Sequence, residues 1–139
     1  MCQQNCNRET LDEKLNVGAI ERYLGDLGVQ QKIVPKKIKY KKKIAIIGAV
    51  PAGLTAALRL RNAGYPVAVY EALSKAGGMM RIGIPEFRLP QKALDKEIDL
   101  IVQQGVEIIL NKKVNIKELE KDNDAVIVST GAHISASMN

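Results

Sequence analysis

The stretch KIAIIGAVPAGL, residues 43–54, constrains this chain more than any other. A short isoleucine-rich run enters a tight glycine turn, and a helix of small residues leaves it. An apolar run of that length reads as a strand buried in a parallel sheet. The turn aims the helix N-terminus, with its free N–H groups and its dipole, at the space above the strand, and that arrangement favours a phosphate. The spacing approaches G-x-G-x-x-G, the opening of a dinucleotide-binding unit. Each glycine of that pattern has its own task. The first permits the tight turn, the second lets a pyrophosphate approach the backbone, and the third lets the helix pack on the strand. Gly48 and Gly53 hold the first and third places, and Val50 stands in the second. A branched side chain thus stands where the ligand is expected to pass, and any positive φ at this position is disfavoured. Strain of that kind costs on the order of 1–3 kcal/mol. The fold element is expected to survive it, with nucleotide affinity reduced.

The rest of the chain supports the same architecture. The spacing predicts a helix over residues 15–27, with Val17, Ile20, Leu24 and Leu27 on one face, and Gly28 can end it. A basic segment with Pro35 reads as a connection. Strands are expected over 43–47, 67–70, 106–110 and 125–129, and helices over 51–62 and from Pro90 to a stop at Gly105. Residues 76–88, AGGMMRIGIPEFR, carry three glycines and a proline and read as a long shaped loop. KDND, before the last strand, reads as a turn. Strands alternating with helices imply parallel pairing with right-handed crossovers, an α/β fold preceded by a short helical segment. With 139 residues, one domain with a real core fits and two full ones do not.

Charge and cysteines narrow the function classes. The formal net charge is +6, and most of it comes from KKIKYKKK, six lysines in the eight positions 36–43. No recognition motif accompanies this run, so it reads as a solvated linker, not a nucleic-acid site. Contact with an acidic partner is a further reading. No apolar run approaches the roughly 20 residues that cross a bilayer, and MCQQNCNRET lacks the regions of a signal peptide, so a cytoplasmic location is expected. Cys2 and Cys6 are too close for a disulfide in that compartment. They are either two free thiols or half of a metal or cluster site whose other ligands lie elsewhere.

Glu71 lies 23 residues beyond Gly48, at the end of the second expected strand. An acid at about this distance is the usual partner of the adenosine ribose hydroxyls, and turn, helix, strand and acid together are more specific than the glycines alone. Glutamate at this place fits an unphosphorylated ribose, as in FAD or NAD.

Residues 67–90, VAVYEALSKAGGMMRIGIPEFRLP, resemble the FAD-binding segment of the small (beta) subunit of NADPH-dependent glutamate synthase. The same pattern is found in the N-terminal flavin region of dihydropyrimidine dehydrogenase and in related ferredoxin-linked oxidoreductases. The resemblance implies a Rossmann-like FAD/NAD(P)-binding domain, present only in its first part, over residues 43–132. Residues 1–34 then correspond to the end of an iron–sulfur domain, 35–42 to a basic linker and 133–139 to a tail. It implies that Gly48, Val50, Pro51, Ala52, Gly53 and Leu54 cradle the FAD pyrophosphate and that Glu71 holds the ribose. Gly78 and Met79 would lie beside the diphosphate and ribityl chain. Arg88 would contact the cofactor, Val114 the adenine end, and Thr130 with Gly131 would close the domain near FAD. Cys2 and Cys6 match the last two ligands of a 4Fe–4S cluster, and two thiolates do not complete a four-ligand site, so no cluster is expected in this chain.

The implied activity is that of a flavin-dependent oxidoreductase which takes hydride from NADPH and passes electrons to a larger glutamate synthase-like or ferredoxin-linked subunit. This chain lacks the family's NADPH-binding domain and holds no convincing acid, base or nucleophile, so no complete turnover is expected of it alone. His133, the single histidine, reads as a tail residue. A non-catalytic scaffold that lost nucleotide binding through Val50 is the alternative. An NAD module without flavin is a third reading, opposed by Gly77–Gly78 and the FRLP segment. Apolar faces left without their partners are expected to favour a homodimer.

Overall fold

The computed structural model describes residues 3–28 and 33–132, in two compact units that divide between Lys32 and Ile33. In the first unit, short 3-10 turns at Gln3–Asn5 and Asn7–Thr10 precede helix α1, Val17–Gly28. The Asn16 side chain accepts the Ala19 N–H at 3.1 Å and so caps the start of α1, as asparagine does at helix N-termini. The predicted stripe of Val17, Ile20, Leu24 and Leu27 is present and exposed.

The second unit is an α/β sheet. Its elements are β1 (Ile44–Ile47), α2 (Pro51–Ala63), β2 (Val67–Tyr70), α3 (Met79–Ile82), α4 (Gln91–Gln103), β3 (Glu107–Ile109), α5 (Ile116–Asp122) and β4 (Ala125–Val128). The four strands are parallel in the order β3-β2-β1-β4. From β1 the chain steps outward to β2 and β3, then returns to place β4 on the other side of β1. The strand order therefore reverses at β1, where ligands of open α/β sheets bind, outside the carboxyl ends of the strands.

The core lies on one face of the sheet. Ile46 pairs in register with Val69 on one side and Ile127 on the other. Ile46 and Val69 are fully buried, with Leu54 and Ala57 of α2 and Leu94 and Ile98 of α4 packed into the same cluster. Burying a side chain of this size is worth about 1.5–3 kcal/mol. Alternation along β2 sends Val67 and Val69 into this core, and Ala68 and Tyr70 to the opposite face.

Three features depart from the sequence reading. Helix α5 was not expected, because seven residues with one buried side chain, Leu119, show no periodic stripe. Its signal was Asn115, whose side chain accepts the Lys117 N–H at 3.0 Å. The 76–88 loop holds the single helical turn α3. The backbone of the basic run is fastened to the sheet unit. Lys39 and Tyr40 donate their N–H groups to Gly64 O at 2.8 and 3.1 Å, and the Tyr40 ring stacks on Tyr65 at 4.5 Å. Lys43 N donates to Asp124 Oδ2 at 2.8 Å, and Asp124 N donates back to Lys43 O at 2.9 Å. The lysines themselves stay exposed.

Candidate functional site

The glycine turn stands at the carboxyl end of β1, where the strand order reverses. Gly48 has φ +102°, in the left-handed region, and a Cβ there would overlap the Ser129 carbonyl at the end of β4. Gly53 lies in the first turn of α2, and a Cβ on it would overlap the Gly48 carbonyl. Ser129 Oγ lies 3.1 Å from both Ile47 O and Gly48 O, and it donates into this corner. Turn, helix and β4 therefore interlock with no room for a side chain at either glycine. That is the physical reason for glycine at the first and third places.

Val50 is the N-cap of α2, with φ −95° and ψ 172°. This is extended backbone open to any residue, so the expected positive-φ penalty does not exist. The valine acts through its side chain alone. Its Cγ1 lies against two other glycines: a Cβ on Gly78 would stand 2.6 Å from it, and a Cβ on Gly131 3.3 Å. Of the first-turn amides of α2, Pro51 has no N–H, and Leu54 N donates to Val50 O at 2.9 Å. Ala52 and Gly53 remain as the N–H groups with no carbonyl one turn back.

Glu71 follows β2 and is 6% exposed. Its Oε2 accepts the Ala49 N–H at 2.8 Å, and its Oε1 accepts the Leu73 N–H at 2.9 Å. The carboxylate is pinned against the glycine turn. A second tie runs from Gly77 N to Ala49 O at 2.8 Å, so the loop after β2 is also stitched to the turn.

A crevice of about 380 Å³ opens beside these groups. It is lined by Gly48, Glu71, Val114, Thr130 and Gly131, together with Ile47, Tyr70, Ala72, Lys112, Lys113 and Ala132. Five of the residues singled out in the sequence thus meet in one place. The others lie around it. Val50 touches Gly78 and Gly131 at its edge. Pro51 and Ala52 are exposed at the helix start, and Leu54 is buried in the core beneath the turn, where its side chain acts by packing. Met79 is exposed on α3, and Arg88 is exposed beside Phe87, outside the crevice lining.

Lys112 and Lys113 were missed by the sequence reading. Their signal was position: they follow β3 on the side of the sheet where the strands' carboxyl ends lie. Arg81 was missed as well. Its guanidinium donates to Ala76 O at 2.7 Å, to Gln91 Oε1 at 2.6 Å and to the Asp95 carboxylate, clamping the loop onto α4.

Cys2 and His133 lie outside the described residues. Cys6 Sγ accepts the Leu15 N–H at 3.4 Å, and this bond, followed by one from the Arg8 backbone, holds the thiol below its ordinary range. Among the described residues no three histidine, cysteine, aspartate or glutamate side chains cluster as a metal site. No helix among them is long and apolar enough to cross a membrane.

A parallel sheet, a glycine turn at its switch point and a buried acid after the second strand define a nucleotide-binding α/β unit. Residues 42–137 match the pyridine nucleotide-disulphide oxidoreductase family, and the chain belongs to it. It is 41% identical, over 94% of its length, to the NAD-dependent dihydropyrimidine dehydrogenase subunit PreT of Escherichia coli K12, and it covers 33% of that protein. It is 35% identical, again over 94% of its length, to the NADPH glutamate synthase small chain of Bacillus subtilis 168, and it covers 28% of it. The chain thus spans a third or less of these relatives' length. Among solved structures, FprA from Mycobacterium tuberculosis is similar with a TM-score of 0.64 and 25% identity, over 72% of this chain and 25% of that one.

Proposed function

We propose that this chain is the FAD-binding part of a flavin-dependent NADPH oxidoreductase of the glutamate synthase small-subunit type. The observation that carries the reading is Glu71, buried, bonded to the glycine turn and opening onto the crevice at the switch point. A carboxylate has about four acceptor sites, and two backbone N–H groups leave capacity for ribose hydroxyls. Val114, Thr130 and Gly131 supply the remaining walls at the adenosine end. Ala52 and Gly53 present the amides suited to a phosphate. Gly78, Met79 and Arg88 belong to the loop on which the rest of the cofactor would lie.

When bound, FAD supplies the hydride-accepting and electron-transferring chemistry, while the protein binds and orients. The relatives are named as subunits, which supports a larger, glutamate synthase-like or ferredoxin-linked partner. Cys2 and Cys6 would be two ligands of a 4Fe–4S cluster completed by residues outside this chain, and NADPH would be held by a further domain. By this reading residues 1–34 end an iron–sulfur domain and 43–132 begin the flavin domain.

The test is a titration of the chain with FAD, followed by flavin fluorescence. Saturable binding that Glu71→Ala abolishes supports the reading. Its absence, in this chain and in Val50→Gly alike, overturns it and leaves the scaffold alternative. What favours that alternative is the contact of Val50 with Gly78 and Gly131.

A further inference from the structure

The residues around the crevice do not fit all parts of a dinucleotide equally. At one end, Gly48, Glu71, Val114 and Thr130 leave an open volume of about 380 Å³. Small-molecule sites run from roughly 300 to 1,000 Å³, so this one suits a single nucleoside better than two joined through a pyrophosphate. Gly131 lines the crevice, and Gly78 does not. Between those two glycines stands Val50 Cγ1, near enough that a Cβ on either one would fall within 3.3 Å of it. The gap that the second glycine of the fingerprint would leave for a pyrophosphate is filled by this methyl group.

The backbone does not enforce the obstruction. Val50 is extended, as any residue could be, so the block is a matter of side-chain volume alone. Gly78 is buried, and the Gly77 N–H is held by Ala49 O at 2.8 Å. The loop on one side of the valine is thereby tied to the turn that carries the valine, and it cannot swing away without breaking that bond.

We propose that Val50 closes the pyrophosphate path and leaves the adenosine end open, so that this chain takes adenine nucleosides and their monophosphates as readily as FAD. The proposal rests on the reading of the crevice as an adenosine site and adds the residue that sets its selectivity. A ligand that ends at the ribose or at its 5′ phosphate does not have to pass Val50 toward Gly78. A dinucleotide must displace it. Two lysines in the lining, Lys112 and Lys113, add positive charge that favours any phosphorylated nucleoside near the mouth.

The experiment is calorimetric titration of the full chain, and of its Val50→Gly and Val50→Ala variants, with AMP and separately with FAD. Circular dichroism confirms that each variant is folded, and Val50→Ala, which keeps a Cβ at the N-cap, serves if the glycine variant is not. The chain itself is expected to bind the two ligands with dissociation constants within about threefold of each other, a difference well under 1.4 kcal/mol. Val50→Gly is expected to tighten FAD by about tenfold or more while AMP changes by less than about threefold, with Val50→Ala in between. A chain that already binds FAD about tenfold more tightly than AMP overturns the proposal. So do variants that leave the ratio of the two unchanged, although FAD binding in that case keeps the broader reading alive. If no protein binds either ligand, the crevice is not an adenosine site, and both fall together.

Discussion

The two sides of Val50 are built on different principles. On one side, the glycine turn, Glu71 and Ser129 are held by hydrogen bonds to backbone groups, in a corner so tight that neither Gly48 nor Gly53 admits a side chain. On the other side, the loop from Gly78 to Arg88 packs Met80 against the core and is clamped to α4 through one side chain. Arg81, 13% exposed, holds Ala76 O, Gln91 and the half-exposed Asp95, while Ile82 and Phe87 point outward. The first side follows from how the sheet is wound, and a change there is felt by the whole unit. The second is an attachment, and a change there is felt locally. Binding at the proposed adenosine end should therefore be coupled to global stability, and the loop should be separable from it.

The sharpest way to break this contrast is Gly48→Ala. It places a Cβ at φ +102° against the Ser129 carbonyl, and the expected loss is about 3 kcal/mol or more, enough to abolish a cooperative thermal transition in so small a unit. A melting curve close to that of the parent would show that the corner has slack. Glu71→Ala comes next. It leaves the Ala49 and Leu73 N–H groups without their acceptor, and at a buried site the expected cost is about 1–3 kcal/mol, read by urea unfolding, together with loss of AMP binding. Stability lost with AMP affinity retained would separate the fold from the site.

Arg81→Met tests the other side. With two hydrogen bonds gone and the ion pair to a half-exposed Asp95 adding little, about 1–2 kcal/mol of local stability is expected to go. Limited proteolysis should then cut within residues 79–90 faster, with AMP affinity unchanged; a parallel fall in AMP affinity would mean that the two sides are one unit. The smallest effect is expected from Asn115→Ala, which removes the cap of α5 for about 1 kcal/mol. Because α5 follows the Lys112–Val114 wall, this variant asks whether that wall depends on its helix, and AMP titration gives the answer.

Much of the sheet was legible because its signals are local. The β2 boundaries follow from four alternating residues between Pro66 and Glu71, and α4 from its stripe of Leu94 and Ile98 ahead of Gly105. Helix α5 was not legible by periodicity, since its one buried residue cannot form a stripe. The basic run looked like a free connection because nothing near it in sequence announces Gly64, Tyr65 and Asp124, which fasten it. In the site, Gly48, Glu71, Val114, Thr130 and Gly131 were named from the sequence and the resemblance, and the fold brings them together. Lys112 and Lys113 carry no motif and become visible only once β3 is placed beside β2.

The sequence by itself determined the strand–turn–helix opening, the glycines at its first and third places and the acid at the end of the second strand. These depend on backbone preferences and on periods that act over one or two elements. The consequence of Val50 was decided only by the tertiary structure. Read along the chain, it promised strain; in the fold its φ is ordinary, and its methyl group lies between Gly78 and Gly131. Those glycines stand 28 and 81 residues away from it along the chain. A side chain's steric reach is set by what the winding of the sheet brings beside it, and no local pattern encodes that.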